Sequence, residues 1–174
     1  MTGPLYILRH GETLWNREGR MQGLRDSALT ALGRVQAARQ GAILRRAGVA
    51  APAFSSPLGR ARRSAALAGL HAAVDPDLAE IGMGAGVGLP RPAQAPPGVL
   101  WKFDCPGAES QAALIARLDR LRARRGPAVL VTHGVVVIGL RAMARGLPPE
   151  AWDRLDDPQG VVIVLDDGGE RILR

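Results

Sequence analysis

The sequence predicts an α/β fold, a layered sheet with helices packed against it. Three observations carry that expectation. The short apolar runs Leu5-Tyr6-Ile7-Leu8 and Ala128-Val129-Leu130-Val131 read as buried β-strands. Stretches with apolar residues at helical spacing lie between the strand-like runs. Both runs also end alike, at Arg9-His10-Gly11 and at Thr132-His133-Gly134. Open α/β sheets bind ligands in the crevice outside the carboxyl ends of their strands. Two of the chain's three histidines are therefore delivered to such a crevice, each followed by a glycine that gives the backbone room to turn.

The elements follow in order. After the first strand, Glu12 to Leu29 reads as a polar loop. Thr30 is an N-cap for a helix from about Ala31 to Ala47, ended by Gly48. Its apolar stripe is expected at Leu32, Val35, Ala38, Ala42 and Ile43. Pro52 to Ser56 reads as a short strand, and Pro57 opens a helix through about Leu70. Ile81 to Gly107 is irregular, with alternating glycines followed by Pro90, Pro92, Pro96 and Pro97. A loop this long in a compact domain is usually functional, so it is expected to border the site. Ser110 caps a helix over Gln111 to Arg125, with Leu114, Leu118 and Leu121 on one face. The second apolar strand follows, then a helix over Gly134 to Arg145 and a short helix after Pro148-Pro149. Val161 to Leu165 and Arg171 to Leu173 form a closing hairpin.

At 174 residues the chain fits one domain, residues 1–174. Folding at this size buries roughly 70% of the unfolded surface, enough to need no staple. Hydrophobic residues make up 47% and aromatics only 3%, so Ala, Leu, Val and Ile must build the core. The single cysteine, Cys105, excludes a disulfide framework within the chain. The start, Met1-Thr2-Gly3-Pro4, lacks the basic and apolar regions of a signal peptide, and no apolar run approaches the ~20 residues of a membrane helix. The expected setting is cytoplasmic, with no membrane partner.

The net charge of +7 favours anionic partners, and all but one of its 23 basic residues are arginines. Arg117, Arg120, Arg122, Arg124 and Arg125 read as a solvated helix face. Nucleic-acid binding would want interleaved aromatics or a reading motif, and the sequence has neither, so no nucleic-acid partner is expected. His71 has no motif around it and reads as a surface residue.

His10 beside Arg9, Arg60 and His133 suits a phosphoryl group. Arginine forks match its oxygens, and a neutral imidazole nitrogen can attack phosphorus. Positive neighbours steady the spreading charge and keep the imidazole unprotonated. A leaving alkoxide needs a proton, and Glu80, at the entry to the glycine-rich stretch, is the candidate general acid. Arg60 follows Ser55-Ser56-Pro57, which separates it from its solvated neighbours Arg62 and Arg63. Other chemistries fail on spacing. A cysteine phosphatase loop needs an arginine at Gln111, and His10, His133 and Cys105 are too scattered to predict a metal site. No phosphate-binding Gly-x-x-x-x-Gly-Lys loop occurs.

Arg9-His10-Gly11-Glu12-Thr13, then Asn16, then Gly19-Arg20-Met21-Gln22-Gly23, resembles the opening of the histidine phosphatase superfamily, the phosphoglycerate-mutase-like group. Further segments match in the family's order: Leu29-Thr30 with Gly33 and Gln36-Ala37, Ser55 to Ala61, Leu78 to Ile81, Gly107-Ala108-Glu109-Ser110, and Val131 to Gly134. The resemblance implies a three-layer α/β/α sandwich around a mostly parallel sheet, with no cofactor and no metal. It implies His10 as the phosphorylated nucleophile and Glu80 as the proton donor. Arg9, Asn16, Arg60, His133 and the Gly134 N–H would hold the phosphate, with Arg20 and Gln22 at a possible substrate entrance.

The family often continues from the acid segment with Gly-x-Trp-Glu-Gly. Here Gly84-Ala85-Gly86-Val87-Gly88 stands instead, and Ala108 replaces a glycine. The expected activity is metal-independent hydrolysis of a phosphate monoester, on a phosphorylated small molecule or a phosphoprotein. Phosphoglycerate-mutase-type transfer, a protein phosphohistidine phosphatase and a non-catalytic phosphate-binding module are the alternatives.

Overall fold

The computed structural model describes residues 3–124 and 126–174, without the side chain of Arg124. Six strands form one sheet in the order β3-β2-β4-β1-β5-β6. These are β1 (Leu5–Arg9), β2 (Ala53–Ser55), β3 (Ala72–Val74), β4 (Ala128–Thr132), β5 (Val162–Asp166) and β6 (Gly169–Leu173). The first four run parallel, with Leu5 opposite Ala128 and Arg9 opposite Thr132. β5 and β6 add the antiparallel hairpin expected at the end of the chain.

Alternation along the central strands splits the core into two layers. Leu5 and Ile7 of β1, Leu130 of β4 and Ile163 of β5 pack in one cluster with Leu114, Leu118, Leu121 and Leu140. Those last four come from α4 (Gln111–Arg124) and α5 (Gly134–Ala144). Leu8, Val129, Val131, Val162 and Val164 face the other way, onto α2 (Ala31–Arg46) and α3 (Gly59–Leu67) through Ile43, Leu44, Ala61 and Ala65. The period of two along each strand thus feeds two helical layers, giving an α/β/α sandwich. All five residues of β4 are buried, which is why it reads as a continuous apolar run.

From β1 the chain crosses to β2 and β3 on one side; from β4 it crosses by α5 to β5 on the other. The direction of winding reverses between two neighbouring strands, and their carboxyl ends diverge into a crevice. His10 follows β1 and His133 follows β4, so both histidines leave the sheet at that reversal.

The helix α2 does not bury the expected stripe. Leu32 is 53% exposed and Val35 is 64% exposed, and Ala38 and Ala42 are also exposed. Only Ile43 of that set is buried. The inward face is Gly33, Ala37, Gln40, Gly41, Ile43 and Leu44. Small residues let the backbone come very close: a Cβ on Gly41 would fall 2.1 Å from the Ala68 carbonyl oxygen. Gln40, 1% exposed, donates to the carbonyls of Arg9 and Val161 and so ties α2 to β1 and to the approach to β5. A hydropathy pattern sees neither feature.

Arg117 corrects a second expectation. It is buried rather than solvated, and makes a two-pronged pair with Glu109 at 2.8 and 2.9 Å while donating to the Asp77 carbonyl. Arg120 is exposed and Arg122 half-buried; Arg125 and the Met1-Thr2 start lie outside the described residues. His71 is exposed. Short elements also went unforeseen, among them α1 (Leu14–Arg17), β3 and a 3-10 turn at Pro76–Leu78. α1 is one turn closed by a Thr13–Asn16 capping box, and β3 is a three-residue edge strand with two exposed positions. The Ile81–Gly107 stretch holds only short 3-10 turns, at Gly84–Gly86 and Leu100–Asp104. No helix among the described residues is long and apolar enough to cross a membrane.

Candidate active site

The two imidazoles meet in the crevice, with ring centroids 5.1 Å apart and planes tilted by 57°. Each is essentially buried. His10 Nδ1 lies 2.8 Å from the Gly11 carbonyl oxygen. A carbonyl only accepts, so the proton sits on Nδ1 and Nε2 keeps its lone pair. Arg60 Nε donates to that Nε2 at 3.3 Å. The remaining guanidinium nitrogens of Arg60 donate to the carbonyls of Gly23 and Arg25 and pair with Asp26 at 2.9 Å. Asp26 also accepts from the N–H groups of Gly59 and Arg60, and so caps the start of α3 from a distant loop. Arg60 is thereby fixed in direction as well as buried.

Burial pushes the His10 pKa well below its ordinary value, and the charges of Arg60 and Arg9 push it further; the Gly11 bond opposes them. His133 is held down in the same way, by burial first and then by Arg60, His10 and Arg9. Both rings are therefore neutral at neutral pH. Unfolding frees them to protonate near their ordinary pKa of about 6.5. A depressed native pKa gives stability that is complete above that value and lost as pH falls below it. Stability should therefore fall between pH 7.5 and pH 5.5. Urea unfolding at pH 7.5 and 5.5 checks this, and an unchanged midpoint would contradict it.

Arg9, His10, Asn16, Arg60, Glu80 and Gly134 all border one cleft of about 460 Å³. Arg20 and Gln22 border it too, but differently. Arg20 is exposed and donates to the Gly88 carbonyl, while Gln22 is buried and donates to Thr13 Oγ1 at 2.7 Å. In Asn16, Oδ1 accepts from Thr13 N, and the NH₂ end has no hydrogen-bond partner among the described residues. Glu80 accepts from Ile81 N at 3.1 Å and from Val135 N, in the first turn of α5, at 3.3 Å. His133 does not line this cleft; its ring lies beside that of His10. Its Nε2 is 2.7 Å from Ser56 Oγ, and its Nδ1 has no hydrogen-bond partner among the described residues. Arg9 Nε is likewise buried and unpaired. Buried polar atoms are rarely left so; Arg9 Nε–H is a donor, and His133 Nδ1 is one when its Nε2 accepts from Ser56, an arrangement that suits an oxyanion.

The irregular stretch does border the cleft, through Met83, Arg91, Trp101 and Lys102. Lys102 is the only lysine in the chain. Desolvation pulls its pKa below the ordinary value, with Glu80 and Asp157 opposing. Asp157 was not foreseen. It pairs with Arg9 at 2.9 Å and accepts a second Arg9 bond on its carbonyl oxygen at 2.7 Å. Only a turn-forming Asp-Asp-Pro before β5 marks it in the sequence. Ser56, Asp26 and Gln159 were missed as well; Gln159 donates to the His10 carbonyl at 2.9 Å.

Fold and site together define an α/β protein with paired buried histidines at a sheet reversal, ringed by guanidinium groups. Residues 5–174 match the family described as the histidine phosphatase superfamily, branch 1. The chain belongs to that superfamily. It is 33% identical over 171 residues to the "Probable phosphoglycerate mutase GpmB" of Yersinia enterocolitica, covering 87% of this chain and 79% of that one. The crystal structure of TTHB049 from Thermus thermophilus superimposes with a TM-score of 0.77 at 40% identity, over 98% of this chain and 97% of that one. The mycobacterial glucosyl-3-phosphoglycerate phosphatase Rv2419c, in its complex with VO3, gives a TM-score of 0.79 at 30% identity, over 98% and 96%.

Proposed function

We propose that this chain hydrolyses phosphate monoesters through a covalent phosphohistidine at His10. The observation that carries the reading is the 2.8 Å contact of His10 Nδ1 with the Gly11 carbonyl: a carbonyl only accepts, so the proton belongs on Nδ1 and the Nε2 lone pair is left on the side where Arg60 lies. That nitrogen attacks phosphorus as the ester oxygen leaves. Arg9, Arg60, Asn16 and the Gly134 N–H take the equatorial oxygens, and the Nδ1 of His133, unpartnered among the described residues, supports them from beside the His10 ring. Glu80 gives its proton to the departing oxygen. Its carboxylate then takes a proton from water, the water attacks the phosphohistidine, and inorganic phosphate leaves with neutral His10 restored. Exposed Arg20 and Arg91 mark a mouth open to solvent, which suits attack by water.

Beyond the phosphate groups the cleft adds Arg20, Arg91 and Lys102. We extend to this chain a preference for small phosphate esters that carry further acidic groups, as in the substrate named for the mycobacterial phosphatase. The cytoplasm, where one free cysteine stays reduced, suits it. The Yersinia relative's name favours a second reading, phosphoryl transfer between phosphoglycerates.

The test is phosphate release from a panel of esters in metal-free buffer, with interconversion of 2- and 3-phosphoglycerate run beside it. Glu80→Gln should slow alkyl esters by about 10² to 10⁴-fold. Nitrophenyl phosphate, whose leaving group needs no proton, should slow much less. Equal slowing of both would remove Glu80 from the acid role. Transfer without release would favour the mutase reading.

A further inference from the structure

Asp157 enters the cleft from the segment between the 3-10 turn at Pro149–Arg154 and β5. Its Oδ2 lies 2.9 Å from Arg9 Nη1. The same oxygen lies against the first residue of α5: a Cβ on Gly134 would fall 2.1 Å from it and 3.6 Å from Arg9 Cζ. A carboxylate therefore stands between Arg9 and the N-terminal end of α5. Those are two of the groups that the proposed function gives to the phosphoryl oxygens.

The main chain around this carboxylate cannot retreat easily. Arg141 of α5 holds the preceding residue, donating to the Asp156 carbonyl and pairing with its carboxylate at 2.8 Å. Arg141 is itself fixed by Glu170 of β6 at 2.7 and 2.8 Å. The Asp157 carbonyl accepts from Arg9, and Gln159 donates to the His10 carbonyl. With the backbone tied on both sides, the Asp157 carboxylate can move only by rotating about its own side chain.

We propose that Asp157 is an internal counter-anion, a specificity-determining carboxylate that loosens the site's hold on inorganic phosphate and so favours product release. A free phosphate carries up to two negative charges, and a fixed carboxylate beside Arg9 both repels it and neutralises part of the arginine. The inference rests on the proposed function only for which groups hold phosphate, not for turnover.

The competing role is simple positioning of Arg9. The two roles differ in sign, because the carbonyl bond to Arg9 survives loss of the carboxylate. Calorimetric titration of orthophosphate into the wild type, Asp157→Asn and Asp157→Ala separates them. Both variants should bind phosphate up to about five-fold more tightly, the size of one close charge pair at a partly solvated site. Equal or weaker binding in either variant overturns the proposal and leaves Asp157 a brace for Arg9. Tighter binding in a protein that releases phosphate from no ester would sustain this inference and sink the hydrolysis.

Discussion

His10→Ala should abolish ester hydrolysis, with kcat falling by at least about 10⁴-fold, as expected when a covalent nucleophile is removed. The proposed mechanism has no second route to its intermediate. His133 is fully buried and does not line the cleft, with its Nε2 against Ser56. Water lacks the positioned lone pair that Nδ1–H donation to Gly11 reserves on His10 Nε2. Folding should survive the change, because the His10 backbone bonds to the Thr132 and Gln159 partners are untouched. The decisive measurement is acid-labile ³²P incorporation alongside steady-state rates. A labelled, active His10→Ala protein would sink the phosphohistidine mechanism. An inactive wild type would favour a binding module instead.

Gly33→Ala should destabilise the fold by about 3 kcal/mol, the upper end of ordinary overpacking. For a chain of this length that lowers the melting temperature by roughly 10 °C. Helix propensity alone argues the opposite, since alanine in place of glycine favours a helix by about 1 kcal/mol. The structure decides the sign. A Cβ on Gly33 would sit 2.0 Å from the Glu12 carbonyl oxygen, and one on Gly11 would sit 2.0 Å from the Gly33 carbonyl oxygen. Both obstacles are backbone, which cannot swing aside. The first turn of α2 therefore presses directly on the loop that carries His10, and Thr30 reinforces the contact by accepting from Gly33 N and donating to Glu12 Oε2. Leu32→Ala, one residue away and exposed, should stay within about 0.5 kcal/mol. A thermal melt that ranks these two variants the other way would refute the packing assigned to α2.

These two variants also mark what the amino-acid order does and does not reveal. The sheet was legible because β1 and β4 are largely buried and read as unbroken apolar runs. The meeting of His10 and His133 was legible because both follow those runs. Arg60 was legible from its place after Ser55-Ser56-Pro57. The inward face of α2 was not, because a stripe of glycine, alanine and glutamine leaves no hydropathy signal. Arg117 looked solvated because nothing in one dimension shows Glu109 and Asp77 converging on it. Asp157 was invisible for the same reason: its partner Arg9 lies 148 positions away.

The place of β1 has a consequence for how the molecule comes into being. Residues 5–9 leave the ribosome long before their neighbours on either side, β4 and β5, have been made. During synthesis this strand must wait with both edges unpaired, a template for wrong partners. The groups of the candidate site therefore assemble only once translation has passed β4 and β5, and a nascent or truncated product exposes bare sheet in place of a closed cleft.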